Sequence, residues 1–285
     1  MKLRTALLTT ALVAAGLVVP AQASAAAAPT VYFVHGYNDS GGSDCESIWA
    51  NAVDYFTRQG RESLRTVAYY KGDENCDVDV ANATTDTRIK HVAAAFANYV
   101  YDHHTSKGES IEIVAHSMGG LVTRVAMLGS AKGWEGFPKG KLKVSDIVTL
   151  STPHKGIVDE DKYDSTQWDS MVPGSTFMDV LHEPENRLDQ DWAASTDWSF
   201  VGSKEDKTVD YDSGIDKVHH ADHKFGYLPD ADYDISHTNI RLFGPGRAKF
   251  NLRYWHASEG ESHDTVNGWA PLETAHNALD RDSDW

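Results

Sequence analysis

The stretch "IEIVAHSMGGLVTR", residues 111–124, starts as an apolar run and ends as an amphipathic one. Ile111, Ile113, Val114 and Ala115 read as a buried strand, and the glycine-opened run from Gly119 through Ala131 reads as a helix. Ser117 stands at the break. A sharp strand-to-helix turn pushes such a side chain out of the sheet and sets it at a helix N-terminus. There the free N–H groups and partial positive charge favour a developing anion. The helix must pack close to the strand, so small neighbours are needed, and Ala115 and Gly119 supply them on either side of Ser117.

Outward from this stretch the chain alternates. "PTVYFVHGYN" (29–38) is a strand entering a tight loop, and Ile48, Trp49, Ala52, Val53 and Phe56 recur at helical spacing. "SLRTVAYY" (63–70) is the next strand, and Ile89, Val92, Ala93, Phe96 and Val100 mark another helix. "VSDIVTLSTP" (144–153) follows as a buried strand. Strands apolar on both faces, alternating with helices, predict a mostly parallel sheet covered on both sides. Residues 157–195 break the rhythm with a polar, irregular segment carrying Trp168, Met171, Phe177, Met178 and Leu181. An insertion of this kind is expected to be a lid or substrate wall, or else a surface excursion with its own small core. "DWSFVGS" (197–203) and "HKFGYL" (223–228) resume the strand pattern, "NLRYWHA" (251–257) is expected as an edge strand, and Leu272, Ala275, His276 and Leu279 predict a C-terminal helix. No internal repeat or linker divides residues 26–285.

Lys2 and Arg4, the apolar run Ala6–Val19 and the small-residue stretch ending near Ala26 have the pattern of a secretory signal peptide over residues 1–25. The apolar run is too short to span a bilayer. The expected product is secreted, extracellular and monomeric, without stable membrane insertion. The net charge of −16 argues against nucleic acid and anionic membrane surfaces as partners. Cys45 and Cys76, the only cysteines, are expected to pair in an exported chain. Closing that separation restricts the unfolded state by roughly 3–4 kcal/mol.

"AHSMGG" (115–120) has the form of a nucleophile elbow, A-x-S-x-G. With it the chain resembles the secreted bacterial lipases and esterases of the α/β-hydrolase superfamily. "VYFVHGYN" is similar to their His-Gly oxyanion loop, "LSTPHKG" (150–156) to a segment after the following strand, and "MVPGSTFM" (171–178) to a Pro-Gly-Ser segment before the last core strands. These landmarks run in the family's order from about residue 30 to 240; the C-terminal part is less similar. The resemblance implies the α/β-hydrolase fold and hydrolysis of a lipid or small-molecule carboxylic ester, triacylglycerol first among them, without a cofactor.

A serine hydroxyl is a weak nucleophile and needs a base, itself oriented by an acid. In this fold the chain order is Ser, then Asp or Glu, then His. Asp206 lies beyond the strand 197–203, with Asp210 and Glu205 as competitors, and the family's D-x-x-V setting favours Asp206 with Val209. His237 and His263 both follow later strands; the resemblance favours His237, preceded by an apolar and a small residue. The oxyanion donors are expected to be the backbone N–H groups of Met118, by position, and Tyr37, after the His-Gly pair. An acyltransferase or polyester hydrolase would use the same residues, and a non-catalytic binding protein is the reading from another class.

Other signals are weak. Asp230, Asp232 and Asp234 alternate as in a calcium loop, but Ile235 and Arg241 stand where glycine and glutamate are required. His219, His220 and His223 have no Cys or carboxylate completing a metal set, and no phosphate-binding glycine motif is present.

Overall fold

The computed structural model describes residues 28–217, 221–244, 246 and 249–280. The expected signal segment, residues 1–25, lies outside the described residues, as do His219 and His220. Nine strands form one sheet in the order β3-β2-β1-β4-β5-β6-β7-β8-β9. They are β1 (Thr30–Val34), β2 (Leu64–Tyr70), β3 (Val78–Ala83), β4 (Ile111–His116), β5 (Val144–Leu150), β6 (Asp197–Ser203), β7 (His223–Tyr227), β8 (Phe250–His256) and β9 (Ser262–Gly268). The first seven pair in parallel, and β8 and β9 add as an antiparallel hairpin.

Side chains along β4 alternate between two cores. Ile113 and Ala115 join Val92, Phe96, Leu121 and Val125 of α2 (Ile89–His103) and α3 (Met118–Lys132). Val114 faces the opposite side, with Trp49 and Phe56 of α1 (Cys45–Arg58) and Leu272 and Ala275 of α7 (Pro271–Asp280). Every residue of β4 is buried, because a strand in the middle of such a sheet has apolar neighbours above and below it. This is the α/β-hydrolase arrangement.

Two strands depart from the sequence expectation. β3 and β9 are not among the strands expected from the sequence; they form the two sheet edges and are part-exposed, β9 being largely polar and β3 mixing valine and alanine with Asp79 and Asn82. Natural edges are kept polar to discourage pairing with other chains. β8, expected at the edge, is instead covered by β9.

Within residues 157–195 the structure forms α4 (Thr166–Ser170) and α5 (Thr176–His182), each started by a serine whose hydroxyl accepts a backbone N–H: Ser165 from Trp168 and Ser175 from Met178. Trp168, Met171, Met178 and Leu181 are buried and continue the core on the α2–α3 side. Each such side chain contributes about 1.5–3 kcal/mol when buried. Further on, α6 (Tyr211–Gly214) follows β6. Cys45 and Cys76 form the expected disulfide, with Cα atoms 5.0 Å apart, and it ties the start of α1 to the β2–β3 connection. Among the described residues, no helix is long and apolar enough to cross a membrane.

Candidate active site

Ser117 is held in a backbone conformation that residues other than glycine rarely adopt, with φ 54° and ψ −129°. Such a conformation costs about 1–3 kcal/mol and persists only where the surroundings enforce it. Here the Ser117 amide donates to the Leu150 carbonyl at 2.9 Å, and its carbonyl accepts from the Thr152 hydroxyl at 2.9 Å. α3 starts immediately afterwards, close against β1. A Cβ on Gly119 would lie 2.4 Å from the carbonyl oxygens of both Val34 and His35. Gly119 is therefore required by close approach, not by a special dihedral angle.

The Ser117 hydroxyl does not cap α3. It lies 2.9 Å from Nε2 of His237, whose Nδ1 lies 2.8 Å from Oδ2 of Asp206. His237 sits in the loop after β7 and Asp206 in the turn after β6, at the carboxyl ends of adjacent strands. Ligands and reacting groups gather at that edge of a parallel sheet. Oδ1 of Asp206 accepts the amides of Thr208 and Val209, at 2.8 and 2.9 Å. Burial alone would push the Asp206 carboxyl up, but the hydrogen bond and charge of His237, with these amides, hold it below the usual carboxylate range. An ionised Asp206 only accepts, so Nδ1 of His237 carries a proton and, in the neutral ring, Nε2 offers its lone pair to the Ser117 hydroxyl.

The sequence competitors fall elsewhere. Asp210 caps α6 by accepting the Asp212 amide. Glu205 accepts the Ile235 amide at 3.0 Å, which ties the His237 loop to the Asp206 turn. His263 lies on β9, stacked on Tyr254 and 3.1 Å from Glu259. Of the proposed oxyanion donors, Met118 is the first residue of α3 and Tyr37 lies in the loop after β1. Among the described residues, neither backbone N–H has a hydrogen-bond partner. The Tyr37 ring packs against Tyr163 and Trp168, and its hydroxyl lies 3.0 Å from the Ser165 hydroxyl, so the segment around α4 packs against this loop.

Two contacts had no signal in the sequence. The His116 Nε2 donates to the His237 carbonyl at 2.7 Å. Burial, with the neighbouring His237 and Arg241, pushes the His116 imidazole well down, which keeps it neutral and suits it to that bond. Thr152 is the other, and a Cβ on Gly120 would collide with its hydroxyl. In the alternating acidic stretch, Asp230 accepts the Asp232 amide in a tight turn. His223 lies against His256, Nδ1 to Nδ1 at 2.7 Å, between β7 and β8. A cavity of about 660 Å³ lies away from the three residues, lined by Ile89, Val125, Trp134, Phe177 and Leu181 among others.

The PGAP1-like alpha/beta domain matches residues 26–223, well over half of the chain. That range includes Ser117 and Asp206 and stops short of His237. No curated protein matches. Among solved structures, the mature form of a Bacillus licheniformis lipase is 16% identical, with a TM-score of 0.45 over 65% of this chain and 70% of that one. Phospholipase PlaB from Legionella pneumophila, in complex with thio-NAD, is 16% identical with a TM-score of 0.49, over 65% of this chain and 43% of that one. The lin2722 product of Listeria innocua is 13% identical with a TM-score of 0.48, over 76% and 89%. This chain thus spans less than half the length of the phospholipase.

Proposed function

The chain belongs to the PGAP1-like alpha/beta domain family, within the lipase- and esterase-like α/β-hydrolases, and from that premise we propose that it is a secreted serine hydrolase of carboxylic esters. The observation that carries this reading is the hydrogen-bonded chain from the Ser117 hydroxyl through His237 to Asp206, at 2.9 and 2.8 Å.

In the proposed reaction the Ser117 oxygen attacks the ester carbonyl while its proton passes to Nε2 of His237. Asp206 fixes the ring and stabilises the imidazolium. The tetrahedral oxyanion accepts the backbone N–H groups of Met118 and Tyr37, each worth about 3–4 kcal/mol in such a role. Collapse expels the alcohol, which leaves with the proton from Nε2, and an acyl ester remains on Ser117. Water then attacks that ester, gives its proton to His237, and the carboxylic acid departs as the proton returns to Ser117.

His116 and Glu205 hold the base loop from two sides. Residues 157–195 supply the substrate wall, and Tyr37, Tyr163 and Trp168 give it an aromatic surface suited to an acyl chain. Triacylglycerols and related lipid esters are the first substrates to try. The disulfide fits an extracellular protein.

A fluorophosphonate probe followed by peptide mapping tests the reading. The label is expected on Ser117, together with hydrolysis of nitrophenyl esters. Folded protein that neither takes the label nor hydrolyses esters would refute it. A series of esters of increasing chain length then fixes the acyl preference.

A further inference from the structure

His35, the first residue of the His-Gly pair, takes no part in the proton transfers above, yet it is almost fully buried close to Ser117. Its Nε2 lies 2.9 Å from Oδ2 of Asp73 and its Nδ1 2.9 Å from the carbonyl oxygen of Gly36. The same carboxylate accepts the amides of Tyr69 and Tyr70 at Oδ2 and of Ser43 at Oδ1, each at 2.8 Å. Burial would push the Asp73 carboxyl up, but the bond and charge of His35, with the Tyr70 and Tyr69 amides, hold it below the usual range. An ionised carboxylate and a carbonyl both only accept. The His35 ring bridges these two acceptors, with Nδ1 turned to the Gly36 carbonyl and Nε2 to the carboxylate.

The Gly36 carbonyl belongs to the same peptide unit as the Tyr37 N–H. That carbonyl also lies 2.7 Å from the Tyr69 hydroxyl, which is 2.8 Å from the His35 carbonyl. The unit lies directly against the nucleophile: a Cβ on Gly36 would sit 2.6 Å from the Ser117 Cβ and 3.2 Å from its Oγ. Donors on a carbonyl polarise its peptide and strengthen the N–H on the far side, most of all in a buried setting. The ring is also stacked on Tyr69, with centroids 4.1 Å apart, which fixes its plane.

We propose that His35, held in place by Asp73, is a positioning residue that aims and polarises the Gly36–Tyr37 peptide as an oxyanion donor. The inference rests on the proposed hydrolase reading, because only there does the Tyr37 N–H meet an oxyanion. The titratable groups facing the ring are Asp73 from the β2–β3 connection and Tyr69 and Tyr70 from β2, with His116 of β4 next.

Two measurements on the full protein test it. Nitrogen-15 NMR of the histidine rings at pH 8, with the His35 signals identified by their loss in His35→Gln, is expected to show a proton on Nδ1 of His35, the atom that faces the Gly36 carbonyl. A bare Nδ1 there overturns the proposal. His35→Gln removes the ring that bridges Asp73 and the Gly36 carbonyl, and in folded protein with unchanged thermal stability kcat for ester hydrolysis is expected to fall about 10- to 100-fold with little change in KM, less than loss of an oxyanion donor itself. Asp73→Asn is expected to lower kcat in the same direction, and the affinity of a boronic acid that forms a tetrahedral adduct on Ser117 should fall in step. Turnover of His35→Gln within twofold of wild type overturns the inference alone. Failure of the wild type to hydrolyse esters or take the fluorophosphonate label overturns the hydrolase reading beneath it.

Discussion

The two ends of the sheet each bury carboxylates, and they treat them in opposite ways. At the carboxyl edge, Asp206 is buried yet held below the usual carboxylate range by His237 and two turn amides. At the amino edge, Glu112, the second residue of the same β4 that delivers Ser117, is pushed up to about 7 by burial. Its Arg61 partner, 2.7 Å away, offsets only part of that, and Asp146 and Asp280 work against it. Burial alone does not set the charge of a carboxylate; the number of donors aimed at it does. In a parallel sheet the carboxyl edge faces turn amides and helix N-termini, which are rich in free N–H groups. The amino edge receives helix C-termini, which offer carbonyls. A site that must hold an anion and stabilise a second one belongs at the first edge.

The sharpest way to break this contrast is to delete the groups proposed to react at the carboxyl edge. Ser117→Ala and His237→Ala are each expected to lower nitrophenyl ester hydrolysis by ~10⁴-fold or more, with little change in melting temperature. His263→Ala, on the distant strand β9, should stay within about twofold of wild type, since removing a part-exposed surface side chain has small effects. An active His237→Ala beside an inactive His263→Ala would reverse the assignment of the base.

Next in size is the anion itself. Asp206→Asn keeps the shape of the side chain but removes the charge that orients His237, and kcat is expected to fall ~10²- to 10⁴-fold. Asp210→Asn is the control: it touches only the cap of α6, so any loss belongs to stability, at most about 1 kcal/mol. Equal loss of kcat in both variants would remove the distinction between the two acids.

The same contrast explains what the sequence made legible. Interior strands announce themselves because both faces are apolar, and the elbow does so because a strand, a serine and small residues leave a local pattern. β3 and β9 lack that pattern, because an edge strand is part-exposed and mixes polar with apolar residues, as in VDVANA and SHDTVNG. The candidate acid and base are harder for another reason. Asp206 and His237 are 31 residues apart in sequence but meet through loop geometry, and nothing local separates His237 from His263. His116, Glu205, Thr152 and Asp73 act through hydrogen bonds across the fold, so no spacing in the chain could have marked them.

Gly119 probes the packing that puts the elbow at the carboxyl edge. In Gly119→Ala the new methyl would meet the carbonyl oxygens of Val34 and His35 at 2.4 Å, so α3 must move away from β1. The expected cost is about 3 kcal/mol of stability, read by denaturant melts, with reduced activity because Met118 moves with the helix. Gly133, at the other end of α3, is the contrast: φ is 63° there and a methyl meets nothing, so any cost of Gly133→Ala is conformational and leaves activity unchanged.

The smallest effect comes from the amino edge and has the opposite sign with pH. Glu112 has a folded value of about 7 against an ordinary 4.5, so between those values the folded protein binds the extra proton. Its contribution therefore favours folding at pH 5 and weakens as pH rises toward 8, by roughly 2 kcal/mol across that interval. Asp206 and Asp73, held low, contribute stability that is lost only as pH falls below the ordinary aspartate range. Buried imidazoles such as His116 and His154, both pushed down by burial, take up protons on unfolding within the same interval as Glu112 and so give the reverse slope. The prediction thus concerns the difference between variant and wild type. Glu112→Gln should gain stability relative to wild type on going from pH 5 to pH 8, measured by urea melts at the two values. A constant difference across that interval would mean that Glu112 stays charged, and that the two ends of the sheet hold their carboxylates in the same way.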